Sequence, residues 1–216
     1  EVMQSVPYET TLIESDIVEI FGNLRIELVE TSRIRVTDGA EEWMLTTEPS
    51  LNQSNNGSTV YSGYTETPTI DLEAGFYEGS QSVTITNNEP NSVLRYTTDA
   101  TNVKEDSPEY TGAFEVTENT VIKARSFSTD MQILPGKMDF TTLFIDENIS
   151  LPVFSIAADG IQLLANDRDD LIQTREFKPV GSLEYFDASG ERQAASFGDL
   201  NRHGQDSWAL DHRSID

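Results

Sequence analysis

Residues 82–97, SVTITNNEPNSVLRYT, contain two short segments of alternating apolar and polar side chains, separated by a cluster rich in Asn. Alternation with a period of two places successive side chains on opposite faces of a β-strand. Asn and Pro favour turns, because each suits a turn conformation or a local side-chain hydrogen bond. The stretch therefore predicts strands at 82–86 and 93–97, joined by a turn at 87–91.

The same alternation recurs further along the chain. Residues 121–125 (VIKAR) and 140–145 (FTTLFI) follow it, and turn-forming clusters lie at 99–102, 118–119 and 134–136. Strands that recur every ten to twenty residues, with no helical pattern between them, favour an antiparallel β-sandwich. The predicted fold class is mainly β.

The region before this block also reads as strands. Residues 16–29 predict a hairpin that turns at Gly22-Asn23, and residues 33–36 predict another strand. Residues 49–59 are small and polar, with almost no apolar side chain to bury. Such a composition is typical of a linker and predicts a domain boundary near residues 50–66.

The region after the block opens with residues 151–158, LPVFSIAA, a continuous apolar run. A short apolar run of this kind predicts a strand that is buried on both faces. Residues 159–174 are where a short helix fits best, and residues 181–186 predict a strand followed by a turn at 187–190.

The composition excludes several classes of function. Of the 216 residues, 38 are Asp or Glu and 14 are Lys or Arg, which gives a formal net charge of −24. Nucleic acids and anionic membrane surfaces attract basic proteins, so neither is an expected partner. No apolar run approaches the roughly 20 residues of a membrane helix, so no membrane insertion is expected. The absence of cysteine excludes disulfides and thiol chemistry.

Two groups of residues contain side chains that could serve as metal ligands or catalytic groups. His203 and His212 are nine residues apart, which fits no standard zinc spacing, so a structural role is favoured. The cluster at 166–170 offers several oxygen ligands for calcium, but it lacks the turn glycine and contains Arg168. A solvated acidic turn is the favoured interpretation. We therefore predict no catalytic, cofactor-binding or metal-binding residue, and no cofactor.

Two further patterns concern sugars. Asn52, Asn56 and Asn148 each begin an N-glycosylation sequence, but so short a pattern carries little meaning by itself. Exposed aromatic rings can stack on sugar rings, but core and hinge roles are favoured here. The aromatic residues considered are Tyr61, Tyr64, Phe76 and Tyr77.

The central block resembles a known family. The residues that carry the resemblance are Gly75-Phe76-Tyr77 and the stretches 82–85, 94–99, 108–112 and 120–124. They resemble the immunoglobulin-like (Ig-like) module at the C-terminus of chitobiases, which implies an Ig-like sandwich. The family usually has Gly where this chain has Ala100. A positive φ is therefore energetically less favourable at this position.

Weaker resemblances lie on either side. Residues 151–156, 181–190 and 201–204 resemble the opening of the spore-coat CotH-like family, which has an atypical protein-kinase fold, and the stretch at 212–214 resembles a basic-Ser pair of that family. The nucleotide-binding and metal-binding parts of that family would lie beyond residue 216. Residues 32–39, 42–45 and 47–52 resemble the last strands of a bacterial lamin-tail-like domain.

These resemblances imply a division of the chain and a setting for it. The predicted units are a lamin-tail-like end (1–55), a linker (56–67), the chitobiase-type module (68–147) and the start of an α+β CotH-like domain (148–216). This order is typical of secreted bacterial multidomain proteins, so we expect an extracellular or cell-surface location. Because the last residues resemble the middle of a domain, we expect the chain to be a section of a longer protein.

The expected function is a non-catalytic structural or adhesive section, which is not itself an enzyme. Three alternatives stay open: a supporting part of a CotH-like kinase, a carbohydrate-binding module, or a subunit of a surface filament. The expected partners are other domains of the same chain, surface polysaccharide or like subunits.

Overall fold

A computed structural model describes residues 28–166 and 178–201. The described strands are β1 (Ser32–Arg35), β2 (Trp43–Thr46), β3 (Gly63–Tyr64), β4 (Thr69–Ile70), β5 (Gly75–Tyr77), β6 (Gln81–Val83), β7 (Ile85–Thr86), β8 (Ser92–Thr97), β9 (Phe114–Val116), β10 (Thr120–Ser128), β11 (Ile133–Leu134), β12 (Asp139–Ile145), β13 (Val153–Ala158), β14 (Val180–Phe186) and β15 (Arg192–Asp199). A helix, α1, spans Ile161–Asn166. Within the described part the protein is mainly β, which confirms the predicted fold class. The predicted hairpin over 16–29 lies outside the described residues apart from Leu28 and Val29.

The central sandwich consists of two layers. One layer is a four-stranded sheet in the order β5-β12-β10-β8, in which β12 runs antiparallel to β10 and parallel to β5. The pairs β4–β7 and β6–β9 form the facing layer. Both layers contribute to one apolar core, which contains Ile70, Val83, Ile85, Leu94, Val116, Ile122, Ala124, Leu143 and Ile145. The predicted strands at 93–97, 121–125 and 140–145 are confirmed as parts of β8, β10 and β12.

The predicted strand at 82–86 is wrong as a single element. It is divided into β6, which pairs with β9, and β7, which pairs with β4. The break falls at Thr84, whose backbone N–H and hydroxyl both donate to the Asp71 carboxylate, over 2.7 and 2.6 Å. These bonds take Thr84 out of both strands, so the two halves of the segment pair with different partners.

A third layer covers the sandwich. Strands β13, β14 and β15 form an antiparallel sheet in that order, called here the C-terminal sheet. The prediction that residues 151–158 are buried on both faces is wrong, although the strand itself is present. Strand β13 is an edge strand that pairs with β14, and the Phe154 side chain is 62% exposed. The predicted helix is present at 161–166, and the rest of that range, 167–174, lies outside the described residues.

The predicted linker makes hydrogen bonds to both of its neighbours. Tyr61 pairs with Leu45 of β2 through two backbone hydrogen bonds of 2.8 and 2.9 Å. Backbone N–H groups of Thr65 and Ser62 donate to carbonyls of Leu134 and Gln132, each over 2.8 Å. This region therefore runs against β2 and β11. The division into domains at 56–67 stays a prediction.

Ala100 has a positive φ of 67°. A side chain with a Cβ is strained in this region, by about 1–2 kcal/mol for residues other than glycine. We therefore expect Ala100→Gly to raise the free energy of unfolding by up to about 1 kcal/mol, after the greater flexibility of glycine in the unfolded chain is subtracted. Urea denaturation would measure the change. A loss of stability would show that the methyl group makes a contact worth more than the strain.

Candidate functional site

The strongest concentration of buried polar groups lies between the central sandwich and the C-terminal sheet. Side chains alternate along β10 and β12, so Ile122 and Leu143 face the core while Lys123 and Thr142 face the other way. The outer residues would be solvent-exposed in a two-layer sandwich. Here the C-terminal sheet covers them, and Lys123 is 0% and Thr142 3% exposed. We call this buried surface the sheet contact.

A carboxylate from the C-terminal sheet enters the sheet contact. Glu184 of β14 is 1% exposed, and its Oε1 accepts a hydrogen bond from Arg192 Nη1 over 2.8 Å. Its Oε2 accepts a hydrogen bond from the hydroxyl of Thr142, which also lies 2.7 Å from the hydroxyl of Ser155. Buried carboxylates are tolerated when they are paired and hydrogen-bonded, as this one is. Glu184 thus joins the two layers.

Lys123 makes the opposite connection, from the sandwich to the C-terminal sheet. Its Nζ donates to the backbone carbonyl of Ala157 over 2.8 Å and to the side-chain Oδ1 of Asn102 over 2.9 Å. The ammonium also lies 5.7 Å from the centre of the Phe197 ring. Burial lowers the pKa of Lys123 to about 8, against the opposing effect of nearby carboxylates.

Asn102 is held by contacts on both sides of its side chain. Its Nδ2 donates to the carbonyl of Val180 over 2.7 Å, and its backbone N–H donates to Asp159 Oδ1 over 2.8 Å. Asp159 in turn accepts a hydrogen bond from Lys104 Nζ, over 2.7 Å. Burial raises the pKa of Asp159, but the hydrogen bonds from Lys104 and Asn102 outweigh it and leave this pKa lowered. The Asp159 carboxylate therefore stays ionised at neutral pH.

Aromatic side chains complete the sheet contact. Phe76 stacks on Phe144 with ring centres 4.6 Å apart, and both rings meet the edge of Phe186, at 6.0 and 5.3 Å. At the other end, Phe140 lies 6.2 Å from Phe197. Phe186 is 0% and Phe197 4% exposed. The contact thus has a polar centre with apolar packing on both sides.

Asp139 gives the structure a testable pH dependence. Its carboxylate accepts backbone hydrogen bonds from Ile70 (2.7 Å) and Phe140 (3.0 Å), yet burial dominates and raises its pKa. The folded state therefore binds this proton more tightly than the unfolded state, which favours folding in acid relative to neutral pH. An Asp139→Asn variant loses this contribution. We expect its stability relative to the wild type to fall as the pH is lowered from 7 to 4.

Urea denaturation of both proteins at several pH values would measure this difference. The other carboxylates titrate in both proteins and cancel from the comparison. A relative stability of Asp139→Asn that rises towards acid would contradict the prediction.

Most of the residues discussed above as possible metal or catalytic sites lie outside the described residues. His203, His212 and residues 167–170 fall there. Among the described residues, no group of three or more His, Asp or Glu side chains could hold a metal ion. No described helix is long and apolar enough to cross a membrane.

The four aromatic residues weighed as sugar-binding groups do not form a platform. Phe76 is in the sheet contact, Tyr77 packs against the core, and the hydroxyl of Tyr64 donates to the carbonyl of Val29 over 2.9 Å. Tyr61 is half-buried. A different ring is open to solvent: Phe154 is 62% exposed, and its ring lies 4.8 Å from that of half-buried Tyr185, with 30° between the ring planes.

Sequence reasoning missed the sheet contact and the exposed ring of Phe154. Lys123 lies between Ile122 and Ala124, and Glu184 lies between Leu183 and Tyr185, as solvent-facing charges in alternating strands do. Such a charge reads as solvent-facing unless a further layer is expected. The third layer is what buries both charges.

Comparison with known families supports the central part of this picture. Residues 72–133 match the family model of the chitobiase/beta-hexosaminidase C-terminal domain. The matched range lies inside the central sandwich and supports its assignment as an Ig-like module. The resemblances of residues 1–55 and 148–216 stay predictions. Neither a curated protein nor a solved structure gives a significant match.

Proposed function

We propose that this chain is a non-catalytic structural section of a secreted or cell-surface protein, in which an Ig-like module is fixed rigidly to the unit that follows it. The matched family supports this proposal, because it is a non-catalytic, carbohydrate-associated module that is typically extracellular. The strongly acidic surface, with a net charge of −24, suits a soluble exterior segment.

The observation that carries the proposal is the burial of the sheet contact. Flexibly linked domains meet through small, polar and exposed surfaces. Here the contact contains fully buried rings, a buried lysine and a buried glutamate, each satisfied by a partner from the other layer. Separating the layers would expose the rings and leave the charges without these partners. The two layers should therefore move as one body.

Backbone NMR relaxation of the 216-residue chain would test the rigid connection. We expect the same rotational correlation time for the strands of the central sandwich and for β13–β15. A shorter correlation time for the C-terminal sheet would show independent motion and overturn the proposal. Labelling of intact source cells with an antibody against this chain would test the surface location separately.

A second candidate function is carbohydrate binding, favoured by the exposed ring of Phe154, which stacks on half-buried Tyr185. Aromatic faces that are open to solvent offer stacking surfaces for sugar rings. We expect the chain to bind oligosaccharides on a glycan array and Phe154→Ala to lose that binding, while Tyr61→Ala retains it. An array without wild-type binding would eliminate this candidate.

The flanking resemblances extend the proposal to the parent protein. We propose that residues 1–55 end a lamin-tail-like unit and that a CotH-like unit begins near Leu151, with this section supporting a kinase-type domain further on. By that resemblance, the residues that would hold nucleotide are not among residues 1–216. Calorimetry with ATP should therefore detect no binding to residues 1–216, and micromolar affinity would overturn this assignment.

A further inference from the structure

The side chains of Lys123 and Asn102 are close enough to react with each other. The Nζ–Oδ1 distance is 2.9 Å. A carbonyl bond is about 1.2 Å long, so the carbonyl carbon Cγ of Asn102 is within about 4.1 Å of Nζ. Reacting atoms in near-attack geometries are about 3–3.5 Å apart. To react, the amine has to move from the amide oxygen to the amide carbon, over a remaining gap of at most about 1 Å.

Burial makes the neutral, nucleophilic form of Lys123 more accessible than it is in an exposed lysine. The side chain is 0% exposed, and burial lowers its pKa to about 8. About a tenth of the amine is then neutral at pH 7. Desolvation that lowers the pKa of a lysine is one recognised way of activating it as a nucleophile.

The amide of Asn102 is held with its oxygen towards the amine. Nδ2 donates to the Val180 carbonyl over 2.7 Å, which directs Oδ1 towards Lys123, and Asp159 fixes the backbone of Asn102 through a 2.8 Å hydrogen bond. Val103, the next residue, is 2% exposed, so this part of the loop is anchored. Holding two groups in this way replaces a bimolecular encounter by an intramolecular one.

We propose that Lys123 and Asn102 form an intramolecular isopeptide bond, which makes this pair a self-modification site. The Nζ lone pair attacks Cγ of Asn102, an Nζ–Cγ bond forms and the Cγ–Nδ2 bond breaks. One Nζ proton moves to Nδ2, which leaves as ammonia. Nothing is oxidised or reduced, and no co-reactant is needed.

The bond would fasten a loop that no disulfide can fasten, since the chain contains no cysteine. It would close the chain between residues 102 and 123 and attach the loop after β8 to the middle of β10. Cross-links stabilise mainly by restricting the unfolded chain. The bond would also remove the buried charge of Lys123 from the sheet contact.

Intact-mass spectrometry of the purified, folded 216-residue chain tests the proposal. We expect a mass about 17 Da below the sequence mass, because one ammonia is lost. The full sequence mass in the wild-type protein would overturn the proposal, and this outcome requires no variant to fold.

Peptide mapping separates the cross-link from a cyclic imide at Asn102, which has the same mass loss. Trypsin does not cleave after an acylated lysine, so the cross-link gives residues 96–104 joined to residues 105–125 as one branched peptide. A linear peptide 96–104 that carries the whole mass loss would indicate the imide and overturn the proposal.

Two matched variants assign the reaction to its residues. Lys123→Arg keeps a positive charge and hydrogen-bond donors but has no nucleophilic amine, so we expect the full sequence mass. Lys178→Arg changes an exposed lysine elsewhere in the chain, and we expect it to retain the mass loss. A loss that persists in Lys123→Arg would contradict the assignment.

Discussion

Replacing Phe186 by Ala should lower the free energy of unfolding by about 3–5 kcal/mol. The ring is 0% exposed, and it touches both Phe76 and Phe144 at the centre of the apolar part of the sheet contact. The large-to-small change removes buried apolar surface and leaves a cavity between two layers that cannot fully close. Urea or thermal denaturation would measure the loss.

Phe154→Ala is the matched control for this prediction. It removes the same side chain from the same sheet, but from a position that is 62% exposed. We expect a change within about 0.5 kcal/mol, as is usual for surface substitutions. Equal effects of the two substitutions would show that the C-terminal sheet does not pack on the sandwich through Phe186.

The alternation pattern located most of the central strands correctly, because each has one face on a continuous apolar core. Strands β8, β10 and β12 all contribute to that core. Side chains that must alternate between core and outside leave a period of two in the sequence. The resemblance added a detail that periodicity could not supply, since it marked Ala100, where φ is 67°.

The predictions from sequence failed where strand pairing depends on residues that are distant in the sequence. The segment 82–86 alternates as one strand would, but the Asp71 carboxylate binds Thr84 and interrupts it. Asp71 is 13 residues away, and nothing local to the segment reveals that bond. Similarly, residues 151–158 are apolar enough for a central strand. Strand β13 is nevertheless an edge strand, which pairs with β14 on one side.

The sheet contact could not be predicted, because its charged residues stand at the positions that alternation assigns to the solvent-facing side of a strand. Lys123 follows Ile122 and precedes Ala124, as an exposed lysine in a two-layer sandwich would. What buries it is a third layer formed by β13–β15, distant in sequence. The candidate site is thus a property of the tertiary contact rather than of a motif.

Gly136→Ala should lower the free energy of unfolding by about 2–3 kcal/mol. It should also weaken the attachment of the region predicted as a linker. A Cβ at this position would lie 1.9 Å from the backbone oxygen of Thr65. The Gly136 N–H also donates to the Thr65 hydroxyl over 2.7 Å, and that hydroxyl donates to the Ser126 carbonyl over 2.9 Å. The added methyl group would therefore push Thr65, which is 5% exposed, out of a buried hydrogen-bond network.

Gly63→Ala serves as the control, because a Cβ there meets nothing within 4 Å. Its expected effect is within about 0.5 kcal/mol. Gly136→Ala should also speed limited proteolysis between residues 50 and 66, whereas Gly63→Ala should leave the rate unchanged. If Gly136→Ala matched the wild type in both stability and cleavage rate, residues 63–65 would not be docked on the module in solution. The segment before the module would then act as a free linker, as its composition alone predicts, rather than as a strap fixed to β11.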